Sequence, residues 1–472
     1  MFVLYAFIVS VLLLIISYQY LKIYQLCGYK TKVFLNNILT FSLKIDDKNR
    51  LVITKRMLRF IILYFALLFS IFIVCFFFIK VFWLILLDIV IVGLFLPMII
   101  IFAHILMLPI EKLIQKYYIK KTRQKLLRFK GKKIAIVGSF GKTSLKNILY
   151  SILKDKYKVI MTPQSYNTPM GISKTALTIL KDDMEIAIFE MGARHEGDIK
   201  QLMQIVNPDI GIMTAVGEQH IETFGDLNTV IKTKNELVED FKGDFLVFDG
   251  ANENTKELFK KCAKKKFLAC DEKGFSYIKN PSYSRFGLCF DMVIDGKTQN
   301  VKTKLLGRFN AENILIASTV AYLIGAEIDY IASKIETLSP VKNRLELLDM
   351  KDFSIIDDSY NANPVGCEEG LNVLKLFDGE KIVVTSGMVE LGALQHEKNF
   401  VLGKQIGLVA NKVVVMNETN KKAIVEGLKT AKFDLENLFF ANTREGQKQI
   451  LRKIVKKGSV VLFQNDLPDN YK

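Results

Sequence analysis

Cysteine and histidine are scarce in this 472-residue chain, and acidic residues nearly vanish from its first 130 positions. The six cysteines, at 27, 75, 262, 270, 289 and 367, form no C-x-x-C pair and no metal-ligand spacing. That argues against a zinc scaffold or a disulfide framework and fits reduced, mostly buried thiols. No internal repeat, low-complexity tract or long linker is present, so the length implies two or three ordinary domains. Residues 1–130 hold 4 Asp+Glu against 18 Lys+Arg, which gives +14 of the net +17. The rest of the chain holds 44 against 47 and is almost balanced. The basic segment is also the apolar one, and that combination marks a membrane, not a nucleic acid.

Three apolar runs precede Lys112. The first starts at Phe2 and has neither a positive n-region nor a small-residue cleavage site, so it reads as an uncleaved anchor. The second, 57–79, is long enough to span a bilayer at ~1.5 Å per residue. The third runs from Val81 to about Pro109, with interruptions at Asp88 and Pro97, and a tight hairpin is expected near Lys80. Lys30, Lys32, Lys44, Lys48, Arg50, Lys55 and Arg56 lie between the first two runs, and a second basic cluster, Lys112 to Lys130, follows the third. The positive-inside rule places both on the cytoplasmic side, with everything after Ile110. The stretch EKLIQKYYIKKTRQKLLRFK reads equally as a basic helix on an anionic leaflet or as a solvated linker helix.

From Lys132 the pattern becomes short β-rich runs alternating with amphipathic ones. IAIV, KVIMT, EIAIFE, DIGIMTAV and FLVFDG predict buried strands of a doubly wound α/β domain with a mostly parallel sheet. Extra antiparallel strands are expected over 283–306 and a helical pair over 310–338. The alternation restarts near Val341 with FSIIDD, KIVVTSG, KVVVM, LFFAN and SVVLF, a smaller Rossmann-like domain. The expected division is therefore a membrane anchor over 1–130, an α/β central domain over 131–340 and a C-terminal domain over 341–472.

Between IAIV and the helix TSLKNILYSILKD stands VGSFGKTS. Gly138 and Gly141 let backbone close round phosphate oxygens, Lys142 would reach β/γ phosphates, and Thr143 would offer a hydroxyl to Mg²⁺. Glu190, at the end of EIAIFE, is the carboxylate such a site needs on a neighbouring strand. Three of the four histidines, His195, His220 and His396, fall in Gly-rich loops after strands, where α/β enzymes place their ligands.

The motifs VGSFGKTS, TPQSYNTPMGI, EMGARHEGDI, TAVGEQHIETFG, KTKNEL, GRFNAEN, IDDSYNANP and GMVELG follow one another in an order that resembles the Mur ligases, the ATP-dependent amide-forming enzymes of peptidoglycan precursor synthesis. The resemblance spans roughly 132–472. IDDSYNANP and GMVELG are most similar to the members that join D-alanyl-D-alanine to UDP-N-acetylmuramoyl-tripeptide. It implies that Gly138, Ser139, Gly141, Lys142, Thr143 and Ser144 hold ATP and that Asn310 and Asn313 frame the adenine. It further implies two Mg²⁺ held by Thr143, Glu190, His220 and a carbamylated Lys234. Arg344 and Asp358, from the last domain, would complete the nucleotide site. Asn167, Thr168, His195, Tyr360, Asn361, Asn363, Glu390 and His396 are its implied substrate-facing residues.

Two departures stand out. The first 130 residues are apolar where soluble members grip the UDP-sugar, so a lipid-linked or non-peptidoglycan donor stays open. The expected G-x-H-N reads G-R-F-N, which would stack adenine on Phe309. A related ligase with another acceptor, or a non-catalytic membrane nucleotide sensor or scaffold, also stays open. The lipid bilayer and membrane-bound enzymes of precursor synthesis are the partners expected; nucleic acid is not.

Overall fold

The computed structural model describes residues 2–39, 50–78, 82–360, 362–464 and 467. Lys44, Lys48, Asn361 and the hairpin expected near Lys80 lie outside them. The chain forms two compact units, Met1–Tyr117 and Tyr118–Lys472.

The first unit is built of helices Phe2–Leu26, Thr31–Leu39 and Lys55–Phe78 and the greater part of helix Phe82–Arg128. Tyr24, Phe34, Phe60, Tyr64, Ile100 and Ala103 are buried among them. The rings of Tyr24 and Phe60 stack with centroids 5.0 Å apart. Two polar pairs lie in this unit: Ser17 with Tyr64 at 2.9 Å, and Arg59 Nε donating to Glu111 at 3.0 Å. The outward face is aliphatic and aromatic, with Ile15, Ile62, Phe69, Phe102 and Ile105 exposed.

One expectation is corrected here. The basic loop after the first run contains helix Thr31–Leu39, pinned by buried Phe34. The third apolar run lies within one helix that passes through both Pro97 and Pro109 and continues to Arg128. Each proline removes one backbone hydrogen bond, a loss that kinks a long helix without ending it. Among the described residues, Phe95–Arg128 is the one stretch of helix long and apolar enough to cross a membrane.

The second unit holds two sheets. The first comprises β1 (Lys132–Val137), β2 (Val159–Met161), β3 (Ile186–Glu190), β4 (Ile210–Met213), β5 (Phe245–Asp249), β6 (Lys266–Ala269), β7 (Ser276–Ser284), β8 (Gly287–Ile294) and β9 (Lys297–Thr303). Their order is β2-β3-β1-β4-β5-β6-β7-β8-β9, parallel as far as β7 and antiparallel beyond. The second comprises β10 (Glu346–Asp349), β11 (Ser354–Asp358), β12 (Lys381–Thr385), β13 (Lys412–Met416), β14 (Leu438–Ala441) and β15 (Val460–Gln464). Its order is β10-β11-β15-β12-β13-β14, with only β10 antiparallel.

Alternation decides which face each side chain joins. Ile134, Ile136, Ile186 and Ile188 enter the core under helices Lys142–Leu153 and Arg308–Leu323, while Ala135, Val137, Ala187 and Phe189 enter the core on the opposite face. Both faces are covered, so the strands read as continuous apolar runs. In register, Ile136 pairs with Glu190 and Val137 with Met213, which aligns the C-terminal ends of β1, β3 and β4. The chain places β2 and β3 on one side of β1 and β4 on the other. That reversal opens a crevice at the strand ends, where ligands of such sheets bind.

Candidate active site

The loop after β1 is shaped for an anion. Gly138 has φ +154° and Gly141 φ +78°, and a Cβ on Gly138 would lie 1.9 Å from Thr214 Oγ1. No side chain caps helix Lys142–Leu153, so its first backbone N–H groups and its positive dipole end face the crevice. Lys142 Nζ donates to the carbonyls of Gly138 (2.8 Å) and Ser139 (2.9 Å). Burial lowers its pKa to about 8, with Glu190 opposing the shift and Arg344 adding to it. Ser139 lines the crevice. Its hydroxyl donates to Gly217 O at 3.0 Å and accepts from Gly217 N at 3.1 Å, tying the loop to the segment after β4.

Glu190 is 1% exposed and fully partnered. Its Oε2 accepts from Thr143 Oγ1 at 3.0 Å and from Lys146 Nζ at 2.9 Å, and its Oε1 accepts from Asn167 Nδ2 at 3.0 Å. Burial alone would raise its pKa, but Lys146 and Lys142 outweigh that and hold it below the ordinary carboxylate value. Asn167 is thus engaged with the acid, and Thr168 caps helix Pro169–Thr178 by accepting from Gly171 N. Both still line the crevice.

The crevice encloses about 1050 Å³ and takes residues from both sheets. Among the described residues, Lys142, Arg194, Lys234, Lys342, Arg344 and Arg444 line it against two carboxylates, Glu190 and Asp198. Such a wall suits a polyanion. Arg344 lies over the Tyr360 ring, 4.5 Å from its centroid, and Tyr360 OH meets Ser165 Oγ at 2.8 Å across the two domains. Burial raises Asp358 to about 6 despite the opposing pull of Arg344. Asn363 lines the crevice and caps helix Pro364–Lys375.

Lys234 is 2% exposed on helix Leu227–Glu239. Burial, then Lys142, lowers its pKa to about 7, against the pull of Asp198 and Glu236. No described contact brings Lys234 or His220 to Glu190. His220 Nδ1 pairs instead with Glu390, whose other oxygen lies 3.2 Å from Arg194. His220 and Glu390 both have left-handed backbones, with φ 54° and 63°. Among the described residues no group of three or more His, Cys, Asp or Glu side chains could hold a metal by itself. A Mg²⁺ shared with phosphate needs no such cage, and the Thr143–Glu190 pair beside the loop fits one.

Other expected residues fall differently. His195 is exposed at the crevice, with Nδ1 3.8 Å from Asp198. His396 is not part of it: its Nε2 lies 3.2 Å from Glu426 on the surface between helices Gln395–Gly407 and Lys421–Thr430. Asn313 packs beside Gly141. Asn310 donates to Leu306 O and, with Ser144 and Arg344, lines a separate small cavity. Phe309 lines neither cavity. Sequence reasoning missed Lys146, Arg194, Lys342 and Arg444. Lys146 falls among the apolar positions of its helix, but nothing local to it names the buried partner that keeps it there.

Residues 136–321 match the Mur ligase middle domain, and residues 343–464 match the Mur ligase glutamate ligase domain. The UDP-N-acetylmuramoyl-tripeptide–D-alanyl-D-alanine ligase of Haemophilus influenzae is 26% identical over 338 residues, covering 69% of this chain and 73% of that protein. The Bacillus subtilis protein of the same name is 25% identical over 334 residues, covering 70% and 72%. The solved MurF ligase of Thermotoga maritima, in complex with ADP, aligns with a TM-score of 0.68 at 28% identity, covering 75% of this chain and 80% of that one. The two matched domains coincide with the two sheets that enclose the cationic crevice, and the chain belongs to the Mur ligases.

Proposed function

We propose that this chain is an ATP-dependent ligase that joins D-alanyl-D-alanine to UDP-N-acetylmuramoyl-tripeptide through an acyl phosphate. The observation that carries the reading is the crevice itself: a glycine loop with Lys142 and the Thr143–Glu190 pair from one domain face Arg344 from the other, whose charge the buried Asp358 offsets outside the crevice lining. A carboxylate does not condense with an amine unaided, because hydroxide is a poor leaving group. Transfer of ATP's γ-phosphoryl group to the donor carboxylate makes phosphate the leaving group, and the dipeptide amine then attacks. Lys142 and the N-terminus of its helix stabilise charge on the transferred group. Mg²⁺, held by Thr143 and Glu190 when bound, would neutralise the neighbouring phosphate oxygens. Tyr360–Ser165 and Glu390–His220 tie the second domain over the site, which keeps water from the acyl phosphate. Phosphate release that requires acid and amine together supports this reading; ATP hydrolysis indifferent to both contradicts it.

Lys234 is the proposed carbamate site. An amine with pKa near 7 is largely uncharged just above neutrality, the form that adds CO₂, and that fraction falls as pH drops below 7. Lys234→Ala is expected to be inactive and partly rescued by short carboxylic acids. Full activity without them would remove the carbamate.

The first unit is proposed as a three-span membrane anchor, with 131–340 and 341–472 as catalytic domains on the cytoplasmic side. Its aliphatic outer face and the surplus of 18 basic over 4 acidic residues support this. The protein is expected to stay in the membrane pellet through alkaline carbonate washing and to leave it only in detergent. Release by carbonate alone would contradict the anchor.

A further inference from the structure

Lys146 is wholly buried, on the same side of helix Lys142–Leu153 as Leu145 and Leu149. It stands one turn after Lys142. Its ammonium donates to Glu190 Oε2 at 2.9 Å and also to the Gln164 carbonyl. Side-chain exposure at this ion pair is 0% for Lys146 and 2% for Glu190. A buried lysine is costly unless its charge is answered, so its placement against this one carboxylate calls for a reason.

We infer that Lys146 is a positioning residue that keeps the metal carboxylate neutralised until nucleotide arrives. The inference rests on the reading of Glu190 as a Mg²⁺ ligand. Asn167 holds Oε1, while Lys146 takes one side of Oε2 and leaves the other toward Thr143. The acid is thereby fixed for contact through a single oxygen. Charge points the same way. Glu190 feels two ammonium groups, Lys146 and Lys142, against its own single negative charge. A dication approaching alone therefore meets a net positive site. Accompanied by a polyphosphate, it brings the negative charge that the two lysines require. Lys146 thus makes metal entry conditional on nucleotide and disfavours capture of a free divalent ion.

The test is Mn²⁺ binding to the detergent-solubilised full chain without nucleotide, followed by the loss of the free-ion magnetic resonance signal. The unaltered protein is expected to take up no stoichiometric Mn²⁺ below millimolar concentration. Uptake at micromolar Mn²⁺ would overturn the inference without any variant. Lys146→Met is expected to bind Mn²⁺ alone at least tenfold more tightly than the parent, whereas Lys146→Arg, which keeps the charge, stays close to the parent. Equal affinity in a folded Lys146→Met protein would also overturn it. Ligase activity of the unaltered chain is scored separately, so failure of the parent to ligate refutes the functional reading and not the role of Lys146.

Discussion

Lys142→Ala is expected to lower ligase turnover by roughly 10²–10³-fold, the scale seen when one preorganised charge-stabilising donor is removed. The variant is expected to fold and to remain in the membrane. Among the described residues the Lys142 ammonium donates to the carbonyls of its own loop, Gly138 and Ser139, and burial, which lowers its pKa, makes its charge costly to hold in the fold. Truncation therefore removes a group that catalysis needs and folding does not. Turnover within a few-fold of the parent, measured at saturating substrates, would contradict the role given to this lysine.

Glu190→Ala combines two losses. It deletes the proposed metal carboxylate and leaves the Lys146 ammonium buried without its counter-ion. Breaking one partner of a buried pair costs about 3–5 kcal/mol, so the unfolding midpoint should drop along with activity. Glu190→Gln separates the two effects. Its amide oxygen still accepts from Lys146, which limits the loss of stability, but it is a poor Mg²⁺ ligand and turnover should stay low. Thermal unfolding of both variants beside an activity assay checks this. A Glu190→Ala protein that melts like the parent would show that the Lys146–Glu190 pair is not the internal charge balance described above.

Much of this site was legible because strand ends in α/β sheets are marked by abrupt changes of residue type. IAIV breaks into VGSFGKT and EIAIFE ends in an acid, and register places Ile136 opposite Glu190. The glycines were legible from their spacing before Lys142 and Thr143 between a strand and a helix, and both have positive φ in the structure. Lys146 was hidden because amphipathic spacing assigns a lysine to solvent unless a buried partner is known, and that partner lies 44 positions away. Arg194, Lys342 and Arg444 were hidden for a related reason. Each lies in a turn or at a helix start with no local pattern, and only the meeting of two sheets brings them to one wall. His396 shows the converse error: a loop-like context suggested a ligand, while its nearest charged partner is Glu426 on a neighbouring helix. In the first unit, the apolar run was legible to about Pro109, but the helix that carries it on to Arg128 was not, because prolines usually end helices. There the helix continues through both Pro97 and Pro109.

The most direct test of the central claim is the mass of the product formed by the detergent-solubilised full chain supplied with ATP, Mg²⁺, UDP-N-acetylmuramoyl-tripeptide and D-alanyl-D-alanine. The expected product is the UDP-linked pentapeptide, formed with one phosphate released per bond and absent when either substrate is omitted. ATP binding with no pentapeptide product, under conditions where a soluble ligase of the family makes it, would contradict the assignment of substrate.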